Sequence, residues 1–257
     1  MEQKLSTKEE YVKRINVIVE YINNHLGENI DLGILSEMSG FSPWHFHRIV
    51  RAFLGEPIGV FITRVRVETA ARLLRYSELP VQDIAFRVGY DVPSSLSKSF
   101  RLFYGISPNQ YRKNKNYTIM KPIELRPDLP LEIEEKVLAP QQVIYVRLAG
   151  AYVNLDYSAA WQRLWNHVRG ENLFAPEVGH LCIYHDDPKV TPAEKLRTEV
   201  CMVMLVKVAP KSDVGFKVIP AGRYAIFLYK GPYDNLQAVY DTIYGKCLPE
   251  KRDVRGK

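Results

Sequence analysis

One block of residue classes is written twice in the first 112 residues, about fifty positions apart. The first copy runs Leu35-Ser36-Glu37-Met38-Ser39-Gly40-Phe41, then Phe46-His47-Arg48-Ile49-Val50-Arg51-Ala52-Phe53-Leu54-Gly55. The second runs Ile84-Ala85-Phe86-Arg87-Val88-Gly89-Tyr90, then Leu96-Ser97-Lys98-Ser99-Phe100-Arg101-Leu102-Phe103-Tyr104-Gly105. Each copy sets a glycine four positions after a small residue, then an aromatic, then an amphipathic stretch carrying basic residues. That is the pattern of two short helices bent about a glycine turn, the helix-turn-helix. A single copy also occurs in ordinary helical domains; two copies in the same residue classes point to DNA as the partner.

Charge supports the same reading. Residues 48–115 hold twelve Lys/Arg against five Asp/Glu, whereas residues 116–257 hold nineteen against seventeen. A basic excess confined to the repeated region suits a polyanion, although a solvated helical surface would carry it too. No run of about 18 apolar residues is present, so no membrane partner is expected. The polar start Met1-Glu2-Gln3-Lys4 has no signal-peptide character, and a cytoplasmic location follows as the expectation. Cys182, Cys201 and Cys247 share no ligand spacing and read as reduced, buried thiols. Neither a metal nor a cofactor is expected.

The helical region is legible in detail. Thr7 and Glu10 fit a capping box before Tyr11, Ile15, Ile18 and Ile22 at helical spacing. Asp31 is placed to cap a helix over 32–39, and Gly40 supplies the turn because the junction favours a residue tolerating positive φ. Ser42-Pro43 opens a helix from 43 to about 53, with Phe41, Phe46, Val50 and Phe53 on its core side. A long helix follows over 57–76, a second helix-turn-helix over 81–103, and a closing helix from Ser107-Pro108. A twenty-residue spacer spans about 30 Å, close to the ~34–36 Å repeat of the major groove. One chain could therefore meet two successive grooves alone, as a monomer on an asymmetric site.

Residues 8–112 resemble the DNA-binding domain of the AraC/XylS family of transcription regulators. The resemblance rests on Gly40-Phe41-Ser42-Pro43-Trp44-His45-Phe46 and Gly105-Ile106-Ser107-Pro108-Asn109-Gln110-Tyr111. With its extra sequence behind the helical region, the chain is similar to the family's right-origin-binding subgroup. The resemblance implies that Trp44, His47 and Arg48 face the groove. Arg48 can fork to guanine O6/N7, and Trp44 can lie against a thymine methyl. A core role for Trp44 and a bystander role for His47 are the alternatives. In the second copy Ser94, Ser95 and Lys98 are the base-reading candidates, beside Pro93 and Ser97. Small hydroxyls and a lysine without a fork discriminate bases poorly, so this copy is expected to add affinity rather than specificity. Arg51, Arg64, Arg101, Arg112 and Lys113 are the candidate phosphate contacts, each with simple solvation as the alternative.

From Lys113 to about 123 the chain is polar and turn-prone, with Pro122, Pro127 and Pro130 close behind, which marks a linker at 113–123. Beyond it the periodicity becomes that of strands: Leu131–Glu134, Val143–Leu148, Val178–His185, Thr198–Val206 and Tyr224–Tyr229. A second duplication appears. Val143–Leu148 precedes Gly150 and Tyr152-Val153-Asn154-Leu155, and Tyr224–Tyr229 precedes Gly231 and Tyr233-Asp234-Asn235-Leu236. Each leads into an amphipathic helix. The fold class expected is thus two-domain: an all-α double helix-turn-helix over 1–112, then an α+β domain over 124–257 built from duplicated strand-helix-strand-strand units. The second unit reads as cut short.

This rear part resembles the GyrI-like effector-binding domain through Gly150, Tyr152, Trp161, Leu196-Arg197-Thr198-Glu199, Ile219-Pro220-Ala221-Gly222 and Tyr229-x-Gly231-Pro232-Tyr233. The resemblance implies a cleft for cationic or amphipathic small molecules, with Tyr152, Trp161, Tyr184, Tyr229 and Tyr233 as candidate aromatic faces and Glu199 as the nearest candidate carboxylate. Core packing is the alternative for each ring. The expected activity is a regulator rather than an enzyme: no Ser/His/Asp or Cys/His spacing supports catalysis. RNA polymerase is a candidate partner. Two other readings stay open, a small-molecule hydrolase and a module that docks a protein such as gyrase or polymerase.

Overall fold

The computed structural model describes residues 7–114, 126, 129–173, 178–206, 208, 213–232 and 235–247. The helical part comprises α1 (Thr7–Asn24), α2 (Leu32–Ser39), α3 (Pro43–Leu54), α4 (Ile58–Tyr76), α5 (Val81–Arg87), α6 (Pro93–Tyr104) and α7 (Pro108–Lys113). Two apolar clusters hold it together. Ile15, Ile18 and Ile22 of α1 meet Leu35, Phe46, Val50, Phe61 and Val65. The second half gathers Ala70, Leu74, Ile84, Leu96, Phe100, Tyr104 and Tyr111. The long α4 contributes to both clusters, so it fixes the spacing of the two halves. At 1.5 Å per residue its 19 residues span about 28 Å.

The local signals act where the sequence places them. The Asp31 carboxylate accepts from Gly33 N at 2.6 Å and Ile34 N at 3.1 Å, capping α2. Gly40 turns at φ 65° and Gly89 at φ 82°, the left-handed region where a side chain is strained. Ser107 and Gln110 form a complete capping box on α7. At α1 the Thr7 cap falls where side chains lie outside the described residues, and the Glu10 carboxylate takes Arg14 Nε at 2.8 Å. Phe53 departs from its expected core position: it is 42% exposed, because Phe46 and Val50 already fill the inward face of α3.

The rear part contains β1 (Leu131–Leu138), β2 (Gln141–Ala149), α8 (Tyr157–Gly170), β3 (His180–Tyr184), β4 (Arg197–Met204), β5 (Gly215–Ile219), β6 (Gly222–Tyr229) and α9 (Leu236–Thr242). One antiparallel sheet has the order β3-β4-β2-β5, and β1 pairs with β6 in a second. Helix α8 covers one face of the four-stranded sheet: Ala160, Leu164 and Val168 pack on Ile144, Val146, Val200 and Met202. Strand alternation sends Tyr145, Arg147, Glu199 and Cys201 to the opposite face. The first strand-helix-strand-strand unit is therefore β2-α8-β3-β4, and β6-α9 begins the second. Strand β5 was not expected from the sequence; it pairs with β2 over Gln141–Tyr145. Of the expected linker, Lys113 ends α7 and Asn114 caps it, while 115–123 lie outside the described residues. Among the described residues no helix is long and apolar enough to cross a membrane.

Candidate nucleic-acid interface

Helices α3 and α6 match position by position. Both have 12 residues, both begin with proline, and both end on a glycine in the left-handed region, Gly55 and Gly105. Proline at the first position forfeits no hydrogen bond, and the glycine C-cap stops both helices after the same number of turns. Their inward faces match as well: Phe46 and Val50 on α3 correspond to Leu96 and Phe100 on α6, all four fully buried.

The outward faces differ in chemistry. On α3, Trp44 is 75% exposed, and His47, Arg48 and Arg51 are exposed beside it. Trp44 thus lies outside the core, and the His47 ring lies edge-on to Phe46 at 5.6 Å. On α6, Ser94, Ser95, Lys98 and Arg101 are exposed, Pro93 and Ser97 half-buried, and Leu102 is 84% exposed. Among the described residues, Arg48, Arg51, Lys98 and Arg101 enter no ion pair, so their charges face solvent. Lys113 is exposed at the end of α7.

Two of the candidate phosphate contacts are committed elsewhere. Arg64 is 6% exposed and lies between two carboxylates, Nη2 at 2.7 Å from Glu56 and Nη1 at 3.0 Å from Glu68. It is an internal strut of α4 and is not available to a phosphate. Burial lifts the Glu68 carboxyl to about 7, with Asp186 adding to it, although Arg64 pulls it down. Arg112 is half-buried and donates Nη2 to the Leu79 carbonyl, tying α7 to the turn before α5.

Among the described residues, the expected effector residues are spread over both sheets. Tyr152 donates its hydroxyl to Asp186 O at 2.8 Å, and its ring stands edge-on to Tyr184 at 4.9 Å. Tyr184 is 43% exposed. Trp161 packs against the α8 side of the sheet and lies 5.1 Å from the His180 ring. Tyr229 is on the other sheet, opposite Leu131, and its hydroxyl donates to Pro232 O at 3.3 Å. Tyr233 lies outside the described residues.

Glu199 corrects the expectation most sharply. It is fully buried, and Arg147 Nη2 reaches it at 2.6 Å, Lys217 Nζ at 2.5 Å and His185 Nε2 at 3.1 Å. Burial pushes its carboxyl up, but His185, Arg147 and Lys217 outweigh that and hold it well below the ordinary range. Its charge is already matched, and α1 closes over it: Arg147 also meets Asn16 and Glu20, and Lys217 lies 3.6 Å from Glu20. The sequence gives no local signal for this cluster, because Glu20, Arg147, Glu199 and Lys217 lie on four separate elements or their edges.

Two matched half-domains, each turning one basic, unpaired helix face to solvent, define a double helix-turn-helix DNA-binding protein. The chain belongs to the AraC-type helix-turn-helix family of transcription regulators, with a GyrI-like domain behind. The model of a helix-turn-helix domain matches residues 35–114, and that of a GyrI-like small molecule binding domain matches 131–256. The HTH-type transcriptional activator AarP of Providencia stuartii is 36% identical over 98 residues, covering 38% of this chain and 73% of AarP. The transcriptional regulator Rob of Salmonella typhimurium is 22% identical over 258 residues, covering 95% of this chain and 87% of Rob. The DNA-binding domain of the global transcriptional factor AdpA, solved with a target DNA, is 31% identical with a TM-score of 0.39, covering 39% of this chain and 91% of that one.

Proposed function

We propose that this regulator reads DNA with α3 and α6 in two successive major grooves, as a monomer on an asymmetric site. The observation that carries the reading is the matched pair of helices, equal in length and caps and exposed at corresponding positions. Arg48 is the guanine reader, Trp44 contacts a thymine methyl, and His47 adds a polar contact. Ser94, Ser95 and Lys98 read weakly, Lys98 serving a phosphate as well, while Arg51, Arg101 and Lys113 hold phosphates. Because α4 separates the two helices, the boxes lie about one helical turn apart.

The match to a GyrI-like small molecule binding domain supports a small-molecule effector at the rear domain. With the charge of Glu199 matched internally, recognition of a cationic or amphipathic compound falls to aromatic faces such as Tyr184. Activation through contact with RNA polymerase is the regulatory outcome, supported by the activator AarP among the relatives.

Selection of bound duplexes from a random library tests the reading. The expected product is an asymmetric site with two boxes about 10 base pairs apart and guanine in the first. A palindromic consensus, or one box alone, overturns it.

A further inference from the structure

The loop over residues 185–196 joins β3 to β4 and crosses to the helical domain. A fork closes its base: Arg197 Nη2 reaches Asp186 Oδ1 at 2.6 Å and Nε reaches Oδ2 at 2.9 Å. This base touches the first half, with Arg197 Nη1 at 3.1 Å from Asn23 Oδ1. The tip is a turn stiffened from within. Asp187 O accepts from Val190 N at 3.0 Å and Thr191 N at 2.9 Å, and Asp187 Oδ1 accepts from Lys189 N at 2.8 Å.

That tip enters the second half. Val190 is 2% exposed and belongs to the cluster of Leu96, Phe100, Tyr104 and Tyr111. Its carbonyl accepts the Tyr104 hydroxyl at 2.8 Å, and Asp187 Oδ2 accepts the Tyr76 hydroxyl at 3.1 Å. Lys189, 2% exposed, forms an ion pair with Asp241 of α9. Just beyond α9, Tyr244 lies against Tyr76 with ring centroids 5.5 Å apart. The first half meets the same loop differently, through Lys195 Nζ at 3.6 Å from Glu56 and the Arg197 guanidinium 5.3 Å from the Phe61 ring. Among the described residues its buried apolar cluster takes no side chain beyond Val65, and the α3 residue matching Tyr104 is Leu54, which has no hydroxyl to anchor.

We propose that Lys189 and Val190 are positioning residues for α6: through them α9 of the rear domain sets how the second reading helix lies, and so the share of DNA affinity contributed by the second box. This rests on the reading of α6 as a DNA-facing helix. A buried ion pair returns little net stability after its desolvation but fixes the place of what it joins. Here it joins α9 to a turn whose next residue sits under α6. A change at α9 is thereby felt by one reading helix and not by the other.

The test uses the full chain and two duplexes: the two-box site recovered by selection, and the same site with its second box randomised. Asp241→Asn and Val190→Ala should each lose about tenfold on the two-box duplex, within the usual range of coupling between sites, and bind the one-box duplex as the parent does. Val190→Ile should restore most of the two-box affinity. Equal losses on both duplexes, or no loss on either, overturn the proposal. A parent chain that binds both duplexes alike overturns the reading of α6, and the proposal falls with it. If Val190→Ala does not fold, amide exchange in Asp241→Asn decides. Acceleration in α6 and α7 but not α3 supports the proposal, and equal acceleration in α3 overturns it.

Discussion

Arg147 Nη1 donates to Asn16 Oδ1 at 2.8 Å, joining strand β2 to helix α1 across 131 residues of chain. The same guanidinium holds Glu199, so the rear sheet and the first helix share one charge network. Replacing Glu199 with Gln removes the buried partner of Arg147 and Lys217 and leaves them only Glu20, at 3.8 and 3.6 Å, and should cost about 3 kcal/mol. The sign with pH follows from the lowered carboxyl. Its contribution is full above the ordinary value of 4.5 and is lost as pH falls below it toward the folded-state value. The melting temperatures of the parent and Glu199→Gln should therefore converge below about pH 4.5. A gap of constant size between pH 3 and 7 would rule out the ionised pairing.

Arg48 and Lys98 both occupy the sixth position of their helices, yet they should behave differently. Arg48→Ala should cost about 1–3 kcal/mol on the selected site and spare binding to random DNA. Lys98→Ala should weaken both by similar amounts and lower the salt slope by about one phosphate. Equal losses from Arg48→Ala on random DNA would remove it from base reading.

Burial separates Arg64 from Arg101. Arg64→Ala removes the ion-pair partner of Glu68 and leaves Glu56 only Lys195, at 3.6 Å, and should cost about 3–5 kcal/mol in thermal or urea unfolding, with the salt slope of DNA binding unchanged. Arg101→Ala should leave stability within about 0.5 kcal/mol and reduce the slope by about 0.9. Titrations at several KCl concentrations distinguish them. A reduced slope for Arg64→Ala would return that residue to the phosphate contacts.

The glycines give a comparison of strain with and without crowding. At Gly55, φ is 72° and an added Cβ meets nothing within 4 Å, so alanine should cost only the left-handed strain, about 1–2 kcal/mol. At Gly89, φ is 82° and the Cβ would stand 2.5 Å from Leu26 O and 2.6 Å from Arg66 Nη2. Gly89→Ala should be the more damaging, since it also displaces the bond from Arg66 Nε to that carbonyl. Equal losses in denaturant unfolding would show that the neighbours yield freely.

The reading helices were legible because their signals are local and doubled. Proline, glycine and an apolar residue at every third or fourth position set the bounds of α3 within a residue of expectation and the end of α6 likewise. Arg64 was misjudged for the same reason. A basic residue on a long helix looks solvated from sequence alone, and Glu56 and Glu68 become its partners only once α4 is packed. Glu199 and Val190 carried still less signal. Their environments draw on elements far upstream, Asn16 and Glu20 for the first and Tyr104, 86 residues earlier, for the second, and no window along the chain brings these together. Strand β5 carries too short a pattern to be read from sequence, five residues of which the first is Gly215.

Val190 also bears on how such chains can be recombined. A reading domain that completes its core with a side chain from its neighbour is not a free module. Grafting another rear domain behind residues 1–114 leaves a valine-sized hole under α6, unless the newcomer brings a turn of the same shape. The pairing of the two domains is thus written partly into one buried apolar contact, beside the polar ones to Asn16, Glu20 and Asn23.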